Sequence, residues 1–349
     1  MSNEISNGAS QIKVGLNGLG RIGRAFLKLA VKRDDLKIMA ANDLGDINNF
    51  AYLLNYDSAY GQSGLEVKAV EGKLVANGQA IQFLSEKDPA KLPWGQLEVD
   101  VVVEATGIFD DYQKAKAHLD AGAKKVVITA PVKGEAAPGI SSATVLMGIN
   151  DDKLAACQVT SNASCTTNAV GPVIQILHQT IGIDKALLNT THAYTATQKI
   201  VDGPDAKDFR RGRAGAANMA PSSTGAAVAV TQVITDLAGK FDGIAVRVPV
   251  ITGSLADITF IAKRDTTKEE VNEILKKAAT DPRWQGIFTV SEEPLVSTDI
   301  IGNSHASIAQ LDMTRVVGGN LVKVLAWYDN EMGYANTLIE HVIRTGSRT

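Results

Sequence analysis

"IKVGLNGLGRIGRAFLKLAVKR", residues 12–33, decides the fold. Ile12, Val14 and Leu16 alternate as a half-buried strand does, and the chain then turns through Gly18, Gly20 and Gly23. Beyond the turn Ile22, Phe26, Leu29 and Ala30 fall on one helical face. The G-x-G-x-x-G spacing at such a join has a physical logic. The first glycine permits the tight turn, the second lets a pyrophosphate approach the backbone, and the third lets helix lie close on strand. The helix N-terminus then offers free N–H groups to phosphates. "LKIMAA" (36–41) predicts the next strand, and Asp43 stands twenty residues beyond Gly23. A carboxylate there accepts ribose hydroxyls and repels a 2′-phosphate, which predicts NAD rather than NADP as cofactor.

The alternation continues outward from that unit. "VDVVVEATG" (99–107) predicts a buried strand ending at Thr106, "DYQKAKAHLDAG" (111–122) a helix stopped by Gly122, and "KKVVITAP" (124–131) a strand ending at Thr129. "TVLMGIN" (144–150) reads as one more strand, and "VEGKLVANGQAIQF" (70–83) as a hairpin turning at Asn77-Gly78. Strand and helix in alternation predict an α/β fold: a Rossmann-type doubly wound parallel sheet with its ligand at the strands' carboxyl ends, where Thr106 and Thr129 fall. The second half is different. "ALLNTTHAYTA", "GIAVRVPV", "LADITFIAKR", "HASIAQLD" and "NLVKVLAWYD" predict strands, "VVGGNLV" a tight hairpin turn, and "TTKEEVNEILKKAAT" a helix with Thr267 and Glu270 as a capping box. That pattern predicts a mixed or antiparallel α+β domain.

With 349 residues, two domains are expected. A net charge of −3 argues against a dedicated nucleic-acid surface. Two cysteines cannot staple a chain this size and suit a reducing compartment. The opening "MSNEISNGASQ" has no apolar core of a signal peptide, and no run approaches the roughly 18 apolar residues of a membrane helix. A cytoplasmic protein is expected, with no metal and no membrane partner.

One of the two cysteines is conspicuous. "SNASCTTNA" (161–169) surrounds Cys165 with hydroxyls and amides, and Val170, Val173, Ile174 and Leu177 follow at helical spacing. Cys165 therefore stands at or just before a helix N-terminus, with Ser164 or a neighbour as cap, where N–H dipoles favour a thiolate. Pro172 lies awkwardly inside that helix. Cys157, in "LAACQVT", has the apolar flanks of an inert thiol. Among five histidines, His118, His178 and His341 fall in helical runs and His305 at a strand start, whereas His192 is flanked by hydroxyls in a strand. "PSSTGAA" brings hydroxyls to a helix start at Gly225, a fair anion site, and Arg247 is an arginine in an apolar strand.

"NGLGRIGR", "EATGIF", "SNASCTTN", "THAYTATQ", "GPDAKDFRRGR", "PSSTGAA", "VRVPV" and "WYDNEMGYA" occur in one order along the chain. On these strings the sequence resembles phosphorylating glyceraldehyde-3-phosphate dehydrogenases over nearly all its length after residue 11. The resemblance implies a glycolytic oxidoreductase that forms a thioester on Cys165, with His192 as the activating partner. It implies cofactor contacts from Gly18, Gly20, Arg21, Ile22, Gly23, Asp43, Lys87, Thr106, Thr129 and Asn330. For the triose phosphate and inorganic phosphate it implies Ser164, Thr166, Thr195, Arg211, Thr224, Gly225 and Arg247. It places Arg210, Arg211 and Arg213 in a long loop against a neighbouring subunit, within a homotetramer, and a final helix from Asn330 and Tyr334 that returns to the first domain. Pro204 agrees with NAD use.

The expected division is an NAD-binding domain over 1–163, a catalytic and tetramerisation domain over 164–329 and a C-terminal helix over 330–349. Departures from the family pattern are Lys87, where arginine is common, Ala169 in place of a second cysteine, and a looser "GEAAPGISSATV" loop. Erythrose 4-phosphate remains an alternative substrate, and nucleic acid is not expected as a primary partner.

Overall fold

The computed structural model describes residues 11–132, 138–206 and 208–347. Most of the polar opening segment and part of the "GEAAPGISSATV" loop therefore lie outside the described residues. A nine-stranded sheet runs Ser142–Thr144, Val159–Ser161, Lys125–Ile128, Val101–Glu104, Ile12–Asn17, Leu36–Asn42, Gln79–Leu84, Lys73–Ala76, Lys68–Val70. Its first seven strands are parallel, and the last two close it as antiparallel hairpin strands. Strand order reverses on either side of Ile12–Asn17, so the carboxyl ends of that strand and Val101–Glu104 open a crevice. Asn77 and Gly78, at φ 50° and 77°, make the expected hairpin turn.

The second sheet has seven strands in the order Ala220–Ser223, Phe241–Val248, Ile183–Ala193, Ser254–Ala262, Leu321–Tyr328, Ser307–Val317, Phe288–Ser291. Its pairing is mixed, with Ile183–Ala193 parallel to Phe241–Val248 and antiparallel to Ser254–Ala262. Helices Cys165–Thr180, Ala226–Val233 and Lys268–Ala279 cover one face, where Leu188, Ile258, Phe260, Val322 and Val324 are buried. The opposite face leaves Leu187, Ile244 and Leu321 exposed.

Three local expectations change. "TVLMGIN" is not a strand: the strand is Ser142–Thr144, and Val145–Asn150 turns through Gly148 at φ 78°. Asn150 folds back there, its Oδ1 accepting Leu146 N–H at 2.9 Å and its Nδ2 donating to the Thr144 carbonyl at 2.9 Å. An amide that satisfies the backbone locally lets apolar residues be buried without a ladder. The capping box at Lys268–Ala279 is half-made. Thr267 Oγ1 accepts Glu270 N–H, but the Glu270 carboxylate turns to Arg264 and the Thr266 hydroxyl. Pro172 sits within a continuous helix, Cys165–Thr180, and deletes one internal bond without ending it.

The final helix, Met332–Gly346, buries Tyr334, Leu338, Ile339 and Val342 in the core beneath the first sheet, beside Phe26 and Leu27 of helix Arg21–Ala30. Each such side chain contributes about 2 kcal/mol by leaving water. Cys165 touches both this core and the core of the second sheet. The thiol stands where the two sheets meet.

Candidate active site

At the glycine turn each residue has its own reason. Gly18 is at φ 101°, and a Cβ there would come within 2.7 Å of the Ala105 and Thr106 backbone. A Cβ on Gly23 would fall 2.0 Å from the Gly18 carbonyl oxygen, so helix and turn touch directly. Around Gly20 nothing lies within 4 Å, which is the room a pyrophosphate needs. The helix that starts at Arg21 has no side-chain cap and no acidic residue in its first turn, leaving its N–H groups available to an anion. The Arg21 side chain is turned away, bonded through Nε at 2.7 Å to Glu331 and through a second nitrogen at 2.9 Å to Asp57.

Asp43 lines the cavity beside Gly18, Gly20, Lys87 and Thr106. Its carboxylate also holds the backbone: Oδ2 accepts Leu19 N–H at 2.7 Å and Oδ1 accepts Gly45 N–H at 3.1 Å. The turn-capping role and a ribose-facing role coexist, because each carboxylate oxygen accepts more than one bond. Uncapped helix end, open Gly20 and strand-end carboxylate together fit a dinucleotide.

Beneath this rim is a chain of bonds that the sequence did not advertise. Trp94 Nε1–H donates to His118 Nδ1 at 3.0 Å, which leaves the histidine proton on Nε2 for Glu104 Oε2 at 2.9 Å. Glu104, 1 % exposed, also accepts from Asn17 Nδ2 at 2.6 Å and from the Thr106 N–H at 2.8 Å. Asn42 in turn donates to Asn17 Oδ1 at 2.7 Å. A carboxylate closing an all-apolar strand was the one available signal for it.

The cleft continues into a cavity of about 520 Å³ lined by Arg21, Ile22, Thr106, Thr129, Cys165, His192, Thr195 and Asn330. The thiol comes from the helix side and the imidazole from the end of strand Ile183–Ala193, and Cys165 Sγ lies 3.4 Å from His192 Nε2. Ser164 caps the thiol's helix, its Oγ accepting Thr167 N–H at 3.0 Å. Ala163, just before it, is left-handed at φ 55°, a conformation that costs about 1 kcal/mol in a residue with a Cβ. It is held there by the Tyr334 hydroxyl, which donates to the Ala163 carbonyl at 3.0 Å, and by Ser161 Oγ, which accepts its N–H at 2.9 Å.

The expected phosphate ligands are only partly in the cavity. Thr195 lines it, but Thr166 is buried with its hydroxyl on Tyr328 at 2.9 Å, and Tyr328 continues to Thr190 at 2.8 Å. Thr224 Oγ1 accepts Ala226 N–H at 3.2 Å, and Gly225 caps helix Ala226–Val233 with no side-chain bond. Arg211 donates to Ser222 Oγ at 3.2 Å. Arg247 lies behind the histidine, with one guanidinium nitrogen 2.7 Å from His192 Nδ1 and 3.2 Å from the Ala193 carbonyl. A half-buried guanidinium places its donors where it can, and these are the acceptors the fold gives it.

Burial reverses the direction expected for the thiol from its helix end. It pushes Cys165 up, opposed by Arg247 and by the Thr166 hydroxyl and N–H. Burial, then the Arg247 charge, pushes His192 down to about 3. His341 is also buried, bonded to Thr160 and Asn162, and pushed down to about 3. Both histidines are neutral in the fold, while the unfolded chain protonates them below about pH 6.5. Their contribution is therefore complete above that pH and declines as pH falls toward 3. Each should cost roughly 2 kcal/mol of stability by pH 5, above the range where most carboxylates titrate. Urea unfolding at pH 7 and pH 5 measures it, and His341→Gln should remove about half of the difference. Equal stability at the two pH values would mean that the histidines protonate freely within the fold.

A cleft shared between a dinucleotide-type sheet and a thiol-bearing mixed sheet is that of an NAD-dependent oxidoreductase. Two family models match: "Glyceraldehyde 3-phosphate dehydrogenase, NAD binding domain" over residues 12–112 and "Glyceraldehyde 3-phosphate dehydrogenase, C-terminal domain" over residues 164–330. The chain belongs to the glyceraldehyde 3-phosphate dehydrogenase family. It is 47 % identical to glyceraldehyde-3-phosphate dehydrogenase 1 of Streptomyces avermitilis, across 96 % of this chain and 98 % of that protein. It is 46 % identical to the enzyme of Streptomyces coelicolor, across 97 % and 99 %. With glyceraldehyde-3-phosphate dehydrogenase 1 of Bacillus subtilis the identity is 46 %, across 94 % and 96 %.

Proposed function

We propose that Cys165 is the nucleophile and His192 the base in the NAD-dependent oxidative phosphorylation of D-glyceraldehyde 3-phosphate to 1,3-bisphosphoglycerate, a step of glycolysis and gluconeogenesis. The observation that carries the assignment is the 3.4 Å approach of Cys165 Sγ to His192 Nε2 inside the cleft that the glycine turn opens. Sulfur adds to the aldehyde carbon, giving a hemithioacetal on Cys165. His192 Nε2 takes the hydroxyl proton of that adduct. Bound NAD supplies the acceptor for the hydride. The acyl group stays on Sγ as a thioester, a phosphate oxygen attacks it, and the Cys165 thiolate leaves. Backbone N–H groups at the helix N-terminus hold the developing oxyanion.

To act as a base His192 needs an unprotonated Nε2, hence its proton on Nδ1, where the Ala193 carbonyl lies at 2.7 Å. Arg247 also approaches Nδ1 at 2.7 Å, and two donors cannot face each other. An anionic substrate group that draws Arg247 away would leave Nδ1–H to Ala193 and free Nε2. Arg247, Arg211, Thr195, Thr224 and Gly225, with Ser164 and Thr166, are read as the anion-binding side, and Gly18, Gly20, Arg21, Ile22, Gly23, Asp43, Lys87, Thr106, Thr129 and Asn330 as the NAD side. A spectrophotometric assay tests the function: NADH should accumulate from the triose phosphate beyond one equivalent per active site only when phosphate is present. NADH formation with erythrose 4-phosphate alone would move the assignment to that sugar.

NAD should be preferred over NADP by at least about a hundredfold in kcat/KM. Like unit charges about 4 Å apart near a surface repel by up to about 4 kcal/mol before salt screening. Asp43→Ala should relax the preference, and because Asp43 also ties Leu19 N–H it should weaken NAD itself. Equal use of both cofactors by the wild type would refute the reading.

The division into 1–163, 164–329 and 330–349 belongs to the same proposal, supported by a first sheet whose last strand ends at Ser161 and a second whose last strand ends at Tyr328. We read the chain as a cytoplasmic homotetramer. Leu187, Ile244 and Leu321, 66 %, 54 % and 42 % exposed on the uncovered face of the second sheet, support burial against other copies. Among the described residues no helix is long and apolar enough to cross a membrane. Sedimentation equilibrium should return four times the 36.9 kDa chain mass, and a monomer would refute the assembly.

A further inference from the structure

Ser254 begins strand Ser254–Ala262, is 1 % exposed and touches two parts of the site at once. Its Oγ accepts the Ala193 N–H at 3.1 Å and lies 2.8 Å from Asn330 Oδ1. Ala193 N–H occupies one lone pair of the Ser254 hydroxyl, and the hydroxyl proton is donated to Asn330 Oδ1, which orients the amide with its oxygen toward Ser254. Thr252 lies 3.3 Å from the same oxygen but gives its proton to Asp329 Oδ1 at 2.8 Å. That carboxylate is fully buried, and it accepts also from the Tyr60 hydroxyl and from the N–H groups of Gly302, Glu331 and Met332. Thr252 is thus committed elsewhere, and Ser254 decides which way the Asn330 amide faces. With its carbonyl bonded to Ser254, the Asn330 amide has Nδ2 as its remaining donor, and Asn330 lines the cavity with Thr129 and Cys165.

We propose that Ser254 is a positioning residue: it fixes Asn330 as a hydrogen-bond donor to the carboxamide oxygen of the nicotinamide ring and so sets the ring's orientation before Cys165. The inference rests on the reading of Asn330 as a cofactor contact. The Ser254 hydroxyl references the amide to the strand end that carries His192, so cofactor and base are aligned through one oxygen.

Calorimetric titration of the full chain with NAD and with its thionicotinamide analogue, whose sulfur is a poorer acceptor, tests the proposal. Ser254→Ala should weaken NAD about fivefold and lower the preference for NAD over the analogue by a similar factor. The double variant with Asn330→Ala should bind NAD no more weakly than Asn330→Ala alone. Ser254→Thr keeps the hydroxyl and should keep the preference, which serves if the alanine variant is unstable. Additive losses in the double variant, or an unchanged preference in Ser254→Ala, would overturn the role of Ser254. Wild-type binding of both ligands by Asn330→Ala would overturn the cofactor reading of Asn330 itself, and the inference with it.

Discussion

Cys165→Ser is expected to lower turnover by at least about a thousandfold, more than 4 kcal/mol in the barrier. A serine hydroxyl is a far weaker nucleophile at neutral pH, and an oxygen ester would retain less of the oxidation energy for phosphate to claim. NAD binding should persist, because the glycine turn and Asp43 do not depend on the sulfur. Cys157→Ser is the control. Cys157 is buried and its thiol is pushed up by that burial, so the change should cost stability and leave turnover near wild type. The pair of variants is read by phosphate-dependent NADH formation and by NAD titration. A serine variant with more than about a hundredth of the rate would remove the thioester from the mechanism.

His192→Asn should lower the rate of the first turnover by about a hundred- to ten-thousandfold, the usual worth of a positioned general base. Asparagine fills much of the same space and offers an N–H to the Ala193 carbonyl, but it has no basic nitrogen to put before Sγ. The expected signature is a slowed burst of NADH with NAD affinity unchanged within about twofold. An unchanged burst would show that some other group takes the hemithioacetal proton. Because burial and Arg247 hold the imidazole neutral at neutral pH, it need only carry its proton on Nδ1 rather than Nε2 to act as the base.

The parts of this chain that were legible from sequence are those whose physics is local. Gly18, Gly20 and Gly23 announce a turn because backbone sterics act over a few residues, and Asn77-Gly78 announces a hairpin for the same reason. "TVLMGIN" misled because an apolar run says only that side chains are buried; the Asn150 amide that replaced the ladder was invisible. The Glu270 carboxylate went to Arg264, a partner upstream of the helix, rather than to the backbone its spacing suggested.

At the site the resemblance implied the pairing of Cys165 with His192, which the fold brings to 3.4 Å, but their protonation was not readable. The thiol's helix-end position favours one direction, and the packing of two cores around it favours the other. The resemblance implied Thr166 as a phosphate contact, and what the sequence could not show is that its hydroxyl bonds Tyr328, from a strand far along the chain. Ser254 carried no signal at all, since a serine opening a strand is ordinary until Ala193 and Asn330 close on it.

The Tyr334 hydroxyl on the Ala163 carbonyl has a consequence for the order of biosynthesis. Domains fold as units while the ribosome is still extending the chain, N-terminal parts first. Every strand of the first sheet and the glycine turn precede residue 165, so a growing chain can assemble its nucleotide crevice early. The left-handed turn that presents the thiol, in contrast, waits for Tyr334 and for His341 on Asn162, both in helix Met332–Gly346, which emerges after both sheets. A chain halted before that helix carries a cysteine without its geometry. The reactive sulfur is thereby aimed only after the strands of both sheets have emerged.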